Sequence, residues 1–162
     1  MKPVVYPSGT IRSSVVTDAA RLEPILRVED RRECLTIRGP STNIQKVLER
    51  GIESSSPSYT LESPDGNRII CILGTVPHWY GSPVGAVWMV GSSEIEKIVY
   101  DFVRNSAYWV SRLFDDKYDV LLNSIDSRNT LHLRWLKWLG FKFIGQHLVS
   151  GINFYEFLKT RI

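Results

Sequence analysis

Between residues 93 and 114 the apolar side chains Ile95, Ile98, Val99, Phe102, Val103, Ala107, Val110 and Leu113 recur at spacings of three and four. That period is helical, and it draws one continuous apolar stripe along the segment. At ~1.5 Å per residue such a helix reaches roughly 33 Å, about the width of a small domain. A stripe of this length has to be covered, and the flanking sequence supplies the cover. Ala86-Val87-Trp88-Met89-Val90 before it reads as a buried strand, and Tyr118-Asp119-Val120-Leu121-Leu122-Asn123 after it as another. The chain is therefore expected to build a sheet with helices lying on it.

The remaining segments extend that frame. Ser14-Val15-Val16-Thr17 reads as a short strand, leaving residues 1–13 as an N-terminal extension of a single domain spanning 1–162. Asp18 is placed to cap a helix through Leu22, and Pro24 interrupts it or starts a new turn. The helical period resumes from Ile25 to Leu35 and closes at Arg38-Gly39-Pro40. A further helix is expected from Asn43 to about Arg50, capped by Thr42 and ended by Gly51. The period then becomes two. Residues 58–62 and 68–75 form a hairpin around Pro64-Asp65-Gly66-Asn67, whose Asp and Gly suit turn dihedrals. Near the end, a helix over residues 129–139 stops at Gly140, and strands 141–149 and 152–158 join through Ser150-Gly151.

Composition sets limits on partners. Hydrophobic residues make up 43% and charged residues 23% of the 162, ordinary proportions for a globular chain that buries ~70% of its unfolded surface. A net charge of +3 does not by itself call for nucleic acid. No apolar run approaches the ~18 residues of a membrane span, and the first residues lack the apolar core of a signal peptide. Cys34 and Cys71 have no metal-ligand or CxxC spacing, so both are expected as reduced thiols. His132 and His147 stand without a carboxylate or cysteine at ligand spacing, so no metal site is expected.

Asn129-Thr-Leu-His-Leu-Arg-Trp-Leu-Lys-Trp-Leu-Gly-Phe-Lys-Phe143 crowds tryptophans, leucines and cations together. Held between two strands, it is expected as a packed joint of the fold. Leu131, Trp135, Leu136, Trp138 and Leu139 would be covered, with Arg128, Arg134 and Lys137 outside and their stems over apolar surface. A nucleic-acid or membrane role through Arg128, Arg134, Lys137 and Lys142 is the weaker alternative.

The ordered set Asn129, Leu136, Gly140-Phe141, together with the element order, resembles the GNAT superfamily of N-acyltransferases. A more particular resemblance is to the internal virion protein A family of short-tailed podoviruses. It is carried by Leu26-Arg27…Asp30-Arg31-Arg32-Glu33, Val87-Trp88-Met89-Val90-Gly91-Ser92, Leu122-Asn123…Asn129…Arg134 to Phe141, and Gly151…Phe154…Phe157. The resemblance implies an α/β (α+β) fold with a mixed central sheet of six to seven strands and about four helices. It also implies a phage-made protein of the virion interior or host cytoplasm, with a phage or host protein as partner.

An acetyl-CoA-dependent transferase of that fold needs helix N-terminal N–H groups for the pyrophosphate, a general base, and an acid for the departing thiolate. The superfamily's Arg/Gln-x-x-Gly-x-Gly/Ala turn corresponds here to Gly91-Ser92-Ser93-Glu94-Ile95-Glu96, a short connection with one glycine and no cation. Ser93 and Glu96 are expected to form a capping box over those N–H groups. Leu136 stands where the superfamily has its tyrosine. The candidate catalytic residues are therefore weak: Glu33 as base and Tyr118 as a substitute acid. The candidate cofactor contacts are Val90, Gly91, Ser92, Ser93, Asn123 and Asn129, although Asn129 is more simply a helix cap. His78-Trp79-Tyr80 would either line a cleft or anchor its loop, and residues 29–33 are expected as a solvated charged face. The expectation is a non-catalytic, acetyltransferase-like binding protein without cofactor. The alternative is an acetyl-CoA-dependent N-acyltransferase acting on a host or phage protein.

Overall fold

The computed structural model describes residues 1–161. Eight strands form one sheet: β1 (Val4–Tyr6), β2 (Gly9–Ser13), β3 (Ser58–Glu62), β4 (Ile69–Pro77), β5 (Val84–Gly91), β6 (Val120–Asp126), β7 (Lys142–Val149) and β8 (Ile152–Thr160). Their spatial order is β1-β2-β3-β4-β5-β6-β8-β7. Every pairing is antiparallel except that of β5 with β6. The helices are α1 (Asp18–Leu22), α2 (Val28–Arg38), α3 (Ile44–Ser54), α4 (Glu94–Lys97), α5 (Val99–Leu113) and α6 (Thr130–Trp138), with a short 3-10 turn at Glu23–Ile25 carrying Pro24. The mixed α/β class expected from the sequence holds, with more strands and helices than the six to seven and about four expected.

Each face of the sheet carries its own core. On one, Leu22, Leu26, Ile44, Leu48 and Ile52 pack on Ile69 and Ile72. On the other, Trp109, Val110, Leu113, Leu136 and Leu139 pack on Leu73, Leu121 and Phe157. The central strand β4 is buried from Ile69 to Thr75, which is why its sequence reads as an unbroken apolar run.

Four elements differ from expectation. Residues 14–17 are not a strand; the first pairing is a hairpin of β1 and β2, which adds to β3. Gly9 makes that approach possible. Its φ is +149°, and a Cβ there would lie 2.0 Å from the Glu62 carbonyl oxygen. The long helix is divided at Ile98 (φ −117°, ψ 14°) into α4 and α5. Ile95 is buried beneath the turn, so the stripe is continuous in sequence while the axis changes direction. The helix after residue 43 is capped by Asn43, whose side chain accepts the Lys46 N–H, and it runs through Gly51 to Ser54. Gly51 is tolerated inside the helix because the Trp88 ring lies against it. Finally, Trp138 is 54% exposed, so the packed joint is made by His132, Leu136 and Leu139 with Trp135 half-buried. Its indole N–H donates to Ser106 Oγ at 3.0 Å.

Candidate functional site

β5 and β6 are hydrogen-bonded neighbours only over Val84–Ala86 and Val120–Leu122. Beyond that they diverge, and a crevice opens toward their carboxyl ends, the position where open α/β sheets bind ligands. A cavity of about 480 Å³ occupies it, lined from both faces of the sheet by residues including Leu48, Leu73, Trp88, Val110, Leu136 and Phe157, with Asp30, Glu33, Asn123, Ser124 and His132 among the polar groups. That volume lies in the range of small-molecule sites.

Side chains replace the missing ladder. Asn123 Nδ2 donates to the Val87 carbonyl at 2.7 Å, just past the last backbone pairing. Further out, α2 takes over. Asp30 Oδ2 accepts the Gly91 N–H at 2.9 Å, and Glu33 Oε1 accepts the Asp126 N–H at 2.8 Å. The two carboxylates are one helical turn apart, and each holds the end of a different strand. The Arg27 N–H donates to the Gly91 carbonyl at 2.8 Å, so the end of β5 is tied to the start of α2 in both directions. α2 is a strut across the mouth of the crevice.

Behind the strut lies a buried polar cluster. Arg27 is 4% exposed and Asp30 2%. The Arg27 guanidinium is 3.4 Å from Asp30 Oδ1 and 3.1 Å from His132 Nε2. A guanidinium only donates, so Nε2 faces a donor, while Nδ1 lies 3.3 Å from Asn129 Nδ2 and 3.8 Å from Asp30 Oδ1. Burial lowers the His132 pKa, against the opposing charge of Asp30, and the Arg27 charge adds to the lowering. Asn129 Nδ2 reaches Asp30 Oδ1 at 3.2 Å and Glu33 Oε2 at 3.5 Å. Glu33 is pushed up to about 7, chiefly by burial and then by the charges of Asp30 and Asp126, against the opposing hydrogen bonds from Asp126 and Asn129. Asp126 goes the other way. Burial raises it, but the hydrogen bonds from Arg128 outweigh that and hold it below the usual carboxylate range.

The structure brings Glu33, Val90 and Asn123 to the cavity wall and Gly91 and Asn129 to the cluster. It sets Ser92 apart, buried and donating its N–H to the Ile70 carbonyl at 2.9 Å. Ser93 sits at the start of α4 without a side-chain cap. The capping box does not form, because the Glu96 carboxylate turns to Arg27 Nε at 3.6 Å. Asn129 occupies the cap position of α6 but makes no capping bond, its amide being drawn into the cluster. Tyr118 does not line the cavity; its hydroxyl donates to the Ser56 carbonyl at 3.0 Å. Leu136 is buried and lines the cavity without an acidic proton. Residues 29–33 are only half a solvated face, since Asp30 and Glu33 turn inward while Arg31 pairs with Glu23 at 2.7 Å. Trp79 and Tyr80 are exposed and neither line the cavity nor anchor their loop in the core. Arg27 and His132 were missed. The sequence signal was the spacing of Arg27 to Asp30, one helical turn, which reads equally well as a surface pair.

These residues do not suit a CoA pyrophosphate at the Gly91–Glu96 turn. The N–H groups of Gly91, Ser92, Ile95 and Glu96 all donate within the protein, and the cations beside the turn are already paired, Arg68 and Lys97 with Glu94 and Arg27 with Asp30 and Glu96. A shallower hollow of about 730 Å³ beside the cluster is lined by Arg128, Asn129 and Arg134 among others.

No protein-family model matches the sequence, and no curated protein matches it. Solved structures do. A ribosomal-protein-S5-alanine acetyltransferase from Vibrio fischeri is 14% identical, with 99% of this chain and 97% of that one covered at a TM-score of 0.67. A GNAT-family acetyltransferase from Bacillus anthracis is 10% identical, with 99% of each chain covered at 0.71. Another from Streptococcus pneumoniae is 13% identical, with 93% and 97% covered at 0.61. At these identities the likeness establishes the fold, a GNAT-like mixed sheet, and the phage resemblance rests on its motifs alone.

Proposed function

We propose that the chain is an acetyltransferase-like protein that acts by binding, with the entrance its fold would offer to a cofactor closed from within. Its setting, on the motif resemblance, is a phage virion or the infected cell, and its partner a phage or host protein. The observation that carries the binding reading is the α2 strut: Asp30 and Glu33 hold the ends of β5 and β6 across the crevice. Leu136 in place of an acid and the engaged N–H groups of Gly91, Ser92, Ile95 and Glu96 support it. Radiolabelled acetyl-CoA incubated with the protein and a panel of polyamines and lysine peptides is expected to give no labelled product. Catalytic turnover onto any of them would overturn the reading. The virion setting fails if mass spectrometry of purified virions of the source phage finds none of the chain.

One observation favours a second reading, an acetyl-CoA-dependent N-acyltransferase. Glu33 titrates near neutrality, at about 7, and faces the cavity, which suits a base that takes a proton from an acceptor amine. In that case Glu33→Gln abolishes transfer while acetyl-CoA affinity is kept.

A further inference from the structure

The cavity behind the strut has its own opening. Its lining residues are buried or half-buried except for Ile37, Arg38, Arg50 and Ser54, and all four come from α2 and α3. The mouth therefore lies between the C-terminal end of α2 and the outer turns of α3, away from the Gly91–Glu96 turn. Ile37 is 52% exposed there, an apolar side chain at the lip. Arg38 and Arg50 make no hydrogen bond or ion pair among the described residues, whereas the acids at the inner end already have partners. Asp30 is engaged by the Gly91 N–H, Arg27 and Asn129, and Glu33 by the Asp126 N–H and Asn129. The unmatched charge of the site is thus positive and at its rim, and the wall behind it is largely apolar.

Resting on the binding reading above, we propose that this cavity takes a single-chain amphiphile with an anionic head, such as a free fatty carboxylate. The head lies between Arg38 and Arg50 and the chain runs inward over Ile44, Leu48 and Trp88. A two-cation rim gives a carboxylate charge-assisted hydrogen bonds. Each methylene entering the apolar wall tightens binding about fourfold.

The test is a titration of the intact protein, followed by tryptophan fluorescence, with decanoate, octanoate, decylammonium and acetyl-CoA in parallel. The expected result is saturable decanoate binding, octanoate roughly fifteenfold weaker for its two missing methylenes, and decylammonium weaker than decanoate. Arg38→Gln with Arg50→Gln removes the preference for decanoate over decylammonium. Val47→Trp, at a half-buried lining position, abolishes decanoate binding while the melting curve stays cooperative. A preference for decylammonium, or equal binding of both chain lengths, overturns the proposal. So does binding to anionic phospholipid vesicles with none to decanoate. If neither decanoate nor acetyl-CoA binds, the inference fails and the closed-entrance reading stands. Acetyl-CoA binding fails that reading itself.

Discussion

Asp30 and Glu33 are one turn apart on α2 and have different consequences. Asp30 is the partner of a buried guanidinium. Asp30→Ala leaves Arg27 charged in the core and the Gly91 N–H without its acceptor, and a broken buried pair of this kind costs about 3–5 kcal/mol. Urea unfolding measures it, and a loss under ~1 kcal/mol would mean that the strut bears no weight. Glu33 carries a pH signature of unusual sign for a carboxylate. Its folded pKa, about 7, stands above the ordinary 4.5 of a glutamate, so the folded state holds the proton more tightly than the unfolded chain. Its contribution is fully present below about pH 4.5 and is lost as pH rises toward 7, by roughly 3 kcal/mol for a group this buried. His132 works in the opposite direction as pH falls below its ordinary range, because its lowered pKa makes protonation costly. The clean observable is therefore the difference between wild type and Glu33→Gln. The variant keeps an acceptor for the Asp126 N–H and is expected to gain stability above pH 7 and little at pH 4.5. A difference independent of pH would contradict the assignment.

At the scale of elements, what the sequence made legible was whatever its periodicity controls. The stripe from Ile95 to Leu113 was readable except at Ala107, which is exposed while its neighbours Ser106 and Trp109 are buried; the apolar run of β4 and the Ser150-Gly151 turn were readable too, the last now seen with φ of 49° and 78°, as a tight hairpin requires. The first hairpin was not readable. Val4-Val5-Tyr6 is short, Val5 is 77% exposed, and the hairpin's place is set by the pairing of β2 with β3, about fifty residues further along the chain. That pairing has a local requirement. Gly9→Ala would drive a Cβ into the Glu62 carbonyl and is expected to cost more than ~1 kcal/mol while speeding amide exchange in β1 and β2 alone. Exchange that quickens across the whole sheet, or in neither strand, would mean that the hairpin is not an add-on to β3. The break at Ile98 was hidden for a related reason. An apolar stripe records which residues face the core, not whether the axis beneath them is straight.

Across the whole molecule, the GNAT-like fold was legible from element order because a mixed sheet with helices on both faces has few ways to be arranged. The site was legible only in part. The absent acid at Leu136 and the acidic start of α4 could be read from the chain. The reason the crevice closes could not, since it depends on Arg27, Asp30, Glu33, Asn129 and His132 meeting from α2 and α6, elements about a hundred residues apart. The same assembly bears on the proposed function: the crevice is bridged by its own helix, and the N–H groups of Gly91, Ser92, Ile95 and Glu96 are taken up within the protein. The most direct measurement of that claim is a thermal-shift titration with acetyl-CoA, beside free CoA and phosphate. A ligand at a hundred times its dissociation constant stabilises by about 2.7 kcal/mol, a rise of roughly 5–10 °C for a chain of this size. The closed crevice predicts no shift at millimolar acetyl-CoA. A rise of that order, absent with phosphate, would show that the strut opens and that the protein binds acetyl-CoA.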